Sequence, residues 1–219
     1  MSLRLDDVTI TLHGKPFLQG LNAQVGPGEV LAVQGDSGAG KSTLLAFICG
    51  TLALPFEATG GLWLDGRDLR PLPIERRCVG LLFQDDLLFP HMTVQDNLLF
   101  ALPPGRHSAR IARAEAALAS ADLGGFGARR PASLSGGQRA RVSLLRTLLA
   151  EPRALLLDEP FSRLDAALRE RFRAWVWTQV RALGLPTVLV THDAADVPAD
   201  AQVLRLPRSA GTSSTAADA

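Results

Sequence analysis

A glycine-rich loop between an apolar strand and a helix constrains the fold of this 219-residue chain more than any other feature. Residues 30–33 form a short apolar run that leads directly into Gly35, and residues 41–50 have the pattern of a helix closed by glycine. Gly35, Gly38 and Gly40 let the backbone curve closely enough for several N–H groups to point at phosphate oxygens. This strand–loop–helix unit predicts a phosphate-binding site.

The loop also carries the charged and hydroxyl groups that a triphosphate requires. Lys41 would place its positive charge at the β- and γ-phosphates, and the Ser42 hydroxyl can ligate Mg²⁺. The positive end of the following helix adds to this field. A glycine-rich turn without a ligand is the alternative. The predicted phosphate-binding residues are Gly35, Asp36, Ser37, Gly38, Ala39, Gly40, Lys41, Ser42 and Thr43.

Strand and helix patterns alternate along the rest of the chain. Strands are predicted at residues 3–10, 17–25, 30–33, 62–64, 79–83, 154–158, 187–191 and 203–206. Helices are predicted at residues 41–50, 110–121, 136–150 and 167–183. This alternation predicts an α/β fold with parallel central strands.

Composition limits the classes of function. The net charge of +1, from 23 basic and 22 acidic residues, gives no sign of a nucleic-acid or membrane-surface field. No secretory signal and no apolar run of about 18 residues is visible, so we expect any transport role to be that of a peripheral subunit. We expect Cys49 and Cys78 to be free, buried thiols. One domain is predicted at residues 1–207, followed by a disordered tail at 208–219.

An acidic pair follows the apolar run at residues 154–157. Ligands of open α/β sheets bind at the carboxyl edge, so Asp158 is predicted to hold Mg²⁺ through water. Adjacent strand residues point to opposite faces, and we therefore assign Glu159 a different task, orienting and polarising an attacking water. A solvated turn is the alternative for such a pair.

A second candidate anion site stands at residues 135–138. Ser135 before Gly136 and Gly137 presents a hydroxyl and bare amides at a helix N-terminus, and Gln138 completes the motif. One bound triphosphate cannot need two such sites on one domain. We therefore expect this loop to close on the γ-phosphate held by another copy of the chain. An ordinary helix cap is the alternative.

The order of these motifs resembles the ATP-binding cassette (ABC) family over nearly the whole chain. The resemblance implies a P-loop NTPase core with a parallel central sheet, an N-terminal antiparallel β portion and a helical subdomain inserted at about residues 86–151. It also implies ATP hydrolysis as the activity, with ATP and Mg²⁺ as cofactors. In this family two copies form a head-to-tail dimer that sandwiches two MgATP.

Three further segments match the family motifs residue by residue. Gln84 looks like the Q-loop glutamine, which would contact Mg²⁺ or water. Residues 162–165 look like the D-loop that crosses the dimer interface, and Arg163, where a small residue is usual, is expected to reach the partner. His192 looks like the switch histidine that contacts the γ-phosphate. The candidate catalytic residues are Lys41, Gln84, Glu159 and His192; the candidate metal ligands are Ser42, Gln84 and Asp158; Asp165 is a further candidate nucleotide contact.

Residues 82–98 resemble the importer ATPases that serve small solutes, and the full pattern resembles a thiamine-transport-like bacterial subfamily. The implied partners are a second copy, integral membrane permease subunits and a solute-binding protein, with no nucleic acid. The implied location is peripheral, on the cytoplasmic side of the inner membrane. The alternatives are a soluble cassette ATPase acting on nucleic acid or ribosomes, and an exporter subunit.

The base-binding position departs from the family pattern, and this generates a prediction. The family stacks adenine on an aromatic residue 28 or 29 positions before the phosphate-loop lysine, where this chain has His13 and Leu12. Aromatic stacking is worth about 1–3 kcal/mol per base. We therefore expect the KM values for ATP and GTP to differ by less than about tenfold. A nucleotide competition assay checks this, and a strict preference for ATP would contradict it.

Overall fold

The computed structural model describes residues 1–206, and the strands in that range form two sheets. The strands are β1 (Leu3–Leu12), β2 (Lys15–Val25), β3 (Val30–Gln34), β4 (Phe56–Leu64), β5 (Arg67–Asp68), β6 (Val79–Leu82), β7 (Ala154–Asp158), β8 (Thr187–Val190) and β9 (Gln202–Arg205). The α-helices are α1 (Lys41–Cys49), α2 (Val94–Ala101), α3 (His107–Ser120), α4 (Gly136–Leu149) and α5 (Ala166–Leu183). The predicted disordered tail at 208–219 lies outside the described residues.

The central sheet is parallel, as predicted, in the order β6-β7-β8-β3-β9. Every residue of β8 and all but the last residue of β3 and of β7 are buried. Strands covered on both faces read as continuous apolar runs, which is why the sequence pattern located them. Because the strands are parallel, the carboxyl ends of β3, β7 and β8 meet at one edge of the sheet. That edge receives the phosphate loop, the acidic pair and His192.

The N-terminal strands form the antiparallel sheet that the family resemblance implies, in the order β2-β1-β4-β5. Its register pairs Leu3 with Val25 on one side and with Leu64 on the other. The inward side chains of this sheet pack on α1, the helix that begins with Lys41. The sheet therefore holds the phosphate-loop helix from the side opposite the parallel strands.

Three α-helices lie between β6 and β7 in the chain. Leu98 of α2, Leu118 of α3 and Val142 of α4 belong to one buried apolar cluster. The helix α2 was not predicted; it has eight residues, and a capping box between Thr93 and Asp96 fixes its start. The structure confirms helices in this segment, while the subdomain bounds of 86–151 stay a prediction.

Arg77 fixes the far end of α1. Its guanidinium is buried and donates to the carbonyl oxygens of Phe47 and Ile48 at 2.8 and 3.0 Å, and to that of Leu72 at 3.0 Å. A cation at a helix C-terminus satisfies carbonyls that lack a partner within the helix and complements its dipole. Arg77 therefore joins the phosphate-loop helix to the start of β6, the strand that leads to Gln84.

Two expectations drawn from composition can be compared with the structure. Within residues 1–206, no helix combines the length and the apolar character needed to cross a bilayer. In the same range both cysteines are free, and Cys49 is buried. The prediction of a buried thiol is wrong for Cys78, which is exposed; it occupies a left-handed turn with φ 53° just before β6.

Candidate functional site

The phosphate loop has the curvature that the glycine pattern predicts. Gly38 and Gly40 adopt φ values of 80° and 93°, which residues with a side chain rarely adopt. A Cβ on Gly40 would lie 2.8 Å from Phe17 Cε1 and 3.0 Å from Leu18 Cδ2. Glycine is therefore required at position 40 both for its dihedral angle and for the close approach of β2.

The Lys41 side chain folds back onto this loop and forms hydrogen bonds with its backbone. Its Nζ donates to the carbonyl oxygens of Gly35 and Asp36, both at 2.9 Å. Gly40 caps α1 without a side-chain hydrogen bond, so no capping side chain occupies the first amides of the helix. The loop thus combines a fixed ammonium with helix-start amides, the arrangement that binds phosphate oxygens.

The acidic end of β7 lies beside the loop. Ser42 Oγ donates to Asp158 Oδ2 at 3.4 Å. Burial raises the pKa of the Asp158 carboxyl and the Glu159 charge raises it further, whereas the Ser42 hydrogen bond and the Lys41 charge lower it. A cation bound at this carboxylate would stabilise the charged form that burial disfavours.

The prediction that the two acids point to opposite faces is wrong. Glu159 lies beyond the last residue of β7 with φ 47°, so strand alternation does not apply to it. Asp158 and Glu159 both line one cavity of about 300 Å³. We name it the Phe17 cavity, and its lining also includes Phe17, Ser37, Gly38, Gly40, Lys41, Ser42, Thr43 and Val190.

A second, larger cavity of about 650 Å³ borders the other side of the loop, and we name it the His192 cavity. It is lined by Gln34, Gly35, Asp36, Ser37, Lys41, Glu159, Thr191, His192, Ala194, Arg205 and Leu206. His192 Nδ1 lies 3.3 Å from Glu159 Oε1, and the His192 side chain is mostly exposed. Ser37, Lys41 and Glu159 line both cavities, so the two spaces meet at these residues, beside His192.

The loop that carries His192 is held by residues that the sequence analysis did not single out. Asp196 is buried and accepts a hydrogen bond from Thr191 Oγ1 at 3.0 Å and from Arg169 Nε at 2.9 Å. Arg169 also pairs with Asp193 at 2.9 Å. Arg169 lies on α5, directly after the D-loop segment, so one arginine connects that segment to the histidine loop.

The structure also connects Gln84 to the acidic end of β7. Gln84 Nε2 donates to Ser162 Oγ at 3.4 Å, and Ser162 Oγ donates to the Glu159 carbonyl at 2.9 Å. Arg163, expected to reach a partner, forms an ion pair with Asp85 within this chain. Asp165 Oδ1 accepts from the Leu168 amide at 3.0 Å and so acts as the N-cap of α5.

Ser135 and Gln138 form a capping box at the start of α4. Ser135 Oγ accepts from the Gln138 amide at 3.3 Å, and Gln138 Oε1 accepts from the Ser135 amide at 2.9 Å. The two glycines of the motif differ. A Cβ on Gly137 would lie 2.0 Å from Leu168 Cδ2, so packing on α5 requires this glycine. A Cβ on Gly136 would meet nothing within 4 Å, and this chain alone gives no steric reason for glycine there.

The described residues therefore divide the predicted site into two groups. Lys41, Ser42, Asp158, Glu159 and His192 converge on the phosphate loop. Gly136 lines a different cavity, of about 140 Å³, together with Gln84, Asp86, Arg139 and Arg163. Within residues 1–206, Ser135 lines neither the Phe17 cavity nor the His192 cavity.

The base-binding role of Leu12 and His13 stays a prediction, and the structure shows where these residues lie. Within residues 1–206, neither Leu12 nor His13 lines the Phe17 cavity or the His192 cavity. His13 is exposed in the turn between β1 and β2. Phe17, which has no predicted role, lines the cavity beside the loop. Phe17 lies on a strand rather than in the turn, so no local sequence pattern distinguishes it from other apolar strand residues.

The side chains beside the phosphate loop suit Mg²⁺ better than a metal ion whose ligands all come from the protein. Within residues 1–206, no three His, Cys, Asp or Glu side chains gather as a metal site. The available donors are the Ser42 hydroxyl and the Asp158 carboxylate, 3.4 Å apart. Mg²⁺ keeps several waters and binds through one or two protein oxygens plus substrate phosphates, so these two donors fit it.

Comparison with known proteins identifies the group to which this arrangement belongs. A model of the ABC transporter family matches residues 18–162. The chain is 50% identical over 203 residues to the ABC transporter ATP-binding protein YnjD of Escherichia coli (strain K12), covering 92% of this chain and 94% of that protein. It is 43% identical over 195 residues to the sulfate/thiosulfate import ATP-binding protein CysA of Gloeobacter violaceus. That match covers 88% of this chain but 56% of the relative's length.

The fold matches a solved cassette. The dimeric, post-hydrolysis structure of the ATP-binding cassette MJ0796 bound to ADP and Pi superimposes with a TM-score of 0.77 at 28% sequence identity. The match covers 93% of this chain and 94% of that one. It confirms the predicted α/β architecture.

The raised pKa of Asp158 generates a stability prediction. Because the folded chain disfavours the carboxylate, Asp158→Asn should raise the Tm of the nucleotide-free protein at neutral pH. The gain should shrink as the pH falls through the raised pKa, since the wild-type carboxyl is then protonated and no charge is buried. Thermal unfolding across a pH series checks this, with Asp122→Asn as the exposed control. An Asp158→Asn protein less stable than the wild type at neutral pH would contradict it.

Proposed function

The chain belongs to the ABC transporter family and is an ATPase of that family, and we propose that two of its copies power a membrane importer of a small solute. One observation carries the proposal. Lys41, Asp158, Glu159 and His192 come from distant parts of the sequence and converge on a single phosphate loop. A fixed cation, a metal-binding carboxylate, a carboxylate that can polarise water and an imidazole are the groups that phosphoryl transfer to water requires.

In this proposal the phosphate loop binds ATP with Mg²⁺. Residues 35–43 surround the phosphates with backbone amides, and Lys41 turns its ammonium from the loop carbonyls to the β- and γ-phosphates. Ser42 and Asp158 hold the metal, with Gln84 as a further donor. A bound Mg²⁺ would neutralise the negative charge that develops on the phosphate oxygens. The 3.4 Å contact between Ser42 and Asp158 supports the pairing of these two ligands.

Glu159 orients and polarises the attacking water. Its contact with His192 Nδ1 at 3.3 Å supports a shared task, in which His192 holds the carboxylate and reaches the γ-phosphate. Lys41 stabilises the negative charge that spreads over the transferred group. Gln84 is linked to the same centre through Ser162, which donates a hydrogen bond to the Glu159 carbonyl oxygen.

A second copy completes each site in this proposal. Ser135, Gly136, Gly137 and Gln138 of one copy close on the γ-phosphate that the other copy holds, and Asp165 lies in the D-loop at the interface. Two observations support this. Gly136 has open space where its side chain would be, which suits close approach by another molecule. The solved cassette MJ0796 is dimeric with ADP and Pi.

The importer assignment rests on the relatives. CysA of Gloeobacter violaceus and CysA 2 of Agrobacterium fabrum are named for sulfate/thiosulfate import, and the chain spans little more than half of their lengths. Their names favour import over export or action on nucleic acid. We propose permease subunits and a solute-binding protein as partners, with the chain peripheral on the cytoplasmic side of the inner membrane. The thiamine-transport-like assignment stays a prediction, because the names of the relatives given above do not mention that solute.

Glu159→Gln tests the hydrolytic role. The amide keeps the shape of the side chain but cannot polarise water, so turnover should fall by about 10²–10⁴-fold while nucleotide binding is retained. The variant should also accumulate an ATP-bound dimer, detectable by size-exclusion chromatography with light scattering. Glu57→Gln, at an exposed position on β4, is the matched control and should retain wild-type turnover. Undiminished turnover in Glu159→Gln would remove Glu159 from the mechanism.

Isolation of the native complex tests the transport role. An affinity-tagged chain extracted from membranes in mild detergent should co-purify with a hydrophobic, multi-spanning permease in an ATP-sensitive complex. Mass spectrometry identifies the partner and any bound solute. Co-purification with ribosomes or nucleic acid in place of a permease would contradict the proposal.

A further inference from the structure

The Phe17 cavity contains an aromatic ring that the proposed chemistry leaves without a task. Phe17 is half-buried on β2 and lines the cavity together with Gly40, Ser42 and Thr43. Its ring packs on Phe56 with centroids 5.5 Å apart and the planes tilted by 55°. A ring held in this way is an ordered apolar surface at the edge of a site for a charged ligand.

The direction in which a nucleotide crosses the loop follows from the lining of the two cavities. The proposed hydrolytic groups, Glu159 and His192, mark the position of the terminal phosphate. Ser42 and Thr43 line the Phe17 cavity and are absent from the lining that the structure gives for the His192 cavity within residues 1–206. The nucleoside end of the ligand therefore leaves the loop over Ser42 and Thr43, toward Phe17.

The ring is also close enough to the loop to contact such a ligand. A Cβ on Gly40 would lie 2.8 Å from Phe17 Cε1, so the ring and the phosphate-loop backbone are in van der Waals contact. The turn residues are placed differently. His13 is exposed with φ 50°, its amide donates to the Pro55 carbonyl at 3.4 Å, and it lies outside the lining of both cavities within residues 1–206.

We infer that Phe17 is the residue on which the nucleobase stacks in this chain, in place of the turn residues Leu12 and His13. The inference rests on the proposed function, because it assumes a nucleoside triphosphate on the loop. Stacking on an aromatic ring tolerates every base, since each base has a π-face. Phe17 therefore contributes affinity for ATP and GTP alike and leaves the small discrimination between them unchanged.

Calorimetric binding of MgATP, MgGTP and inorganic tripolyphosphate to Phe17→Leu tests this inference. Leucine keeps an apolar side chain against Gly40 and Phe56 but removes the π-face. The Kd values for MgATP and MgGTP should both rise by roughly 5- to 150-fold. The Kd for tripolyphosphate, which has no base, should stay within about twofold, and Phe17→Trp should retain nucleotide binding. Phe56→Leu, which removes the ring behind Phe17, is the matched control and should change nucleotide affinity far less.

Three outcomes would overturn the inference. Equal weakening of nucleotide and tripolyphosphate binding would mean that Phe17 only supports the loop. Unchanged nucleotide affinity in Phe17→Leu would mean that the base lies elsewhere. Loss of nucleotide affinity in His13→Ala, with Phe17→Leu unaffected, would mean that the base binds at the turn between β1 and β2.

Lys41→Ala separates this failure from failure of the proposed function. If Lys41→Ala abolishes binding of both MgATP and tripolyphosphate while Phe17→Leu changes neither, the inference about Phe17 is wrong and the phosphate site stands. If Lys41→Ala leaves both affinities unchanged, the proposed phosphate site itself is wrong and the inference fails with it.

Discussion

The close packing of β2 against the phosphate loop is the constraint on which the site depends. At Gly40 the backbone takes a φ of 93° with Phe17 Cε1 and Leu18 Cδ2 at 2.8 and 3.0 Å from the position of an added Cβ. This contact turns the chain directly into α1, so that Lys41 begins the helix and points back at the carbonyl oxygens of Gly35 and Asp36. At the other end of α1, Arg77 satisfies the last carbonyls. These contacts fix α1 at both ends, so its N-terminal amides point toward the phosphate site.

The parallel sheet supplies the rest of the centre, because its carboxyl edge brings together groups that lie far apart in sequence. Asp158 comes from the end of β7 and His192 from just beyond β8. Glu159 follows β7 with a left-handed backbone and lines the same cavity as Asp158. Ser135 and Gly136 lie outside this convergence. Within residues 1–206 neither lines the Phe17 cavity or the His192 cavity, and Gly136 lines a different cavity together with Gln84. Gly137 is explained by its contact with Leu168, whereas Gly136 is not explained by any contact within the chain. That contrast supports the proposal that a partner copy packs at Gly136.

Much of the fold and of the candidate site could be predicted from the sequence. The physical reason for this also explains which parts could not be predicted. Buried parallel strands and glycine-dependent turns leave local patterns, so β3, β7, β8 and the phosphate loop were located within one residue or two. The short helix α2 was missed because its start depends on a reciprocal Thr93–Asp96 cap rather than on periodicity. The predicted side-chain directions of Asp158 and Glu159 were wrong because Glu159 has a left-handed backbone and does not continue the alternation of the strand. Arg169 and Asp196, 27 positions apart, and Phe17 against Gly40 are tertiary contacts that no local pattern records.

The central claim is that each hydrolytic centre combines Lys41 of one copy with Ser135 of another. A mixed dimer of Lys41→Ala and Ser135→Arg copies retains one intact composite site, whereas either variant homodimer retains none. ATPase turnover of the purified mixed dimer, measured beside both homodimers, tests the claim directly. The account predicts turnover well above that of either homodimer. Turnover no higher than theirs would contradict the composite site.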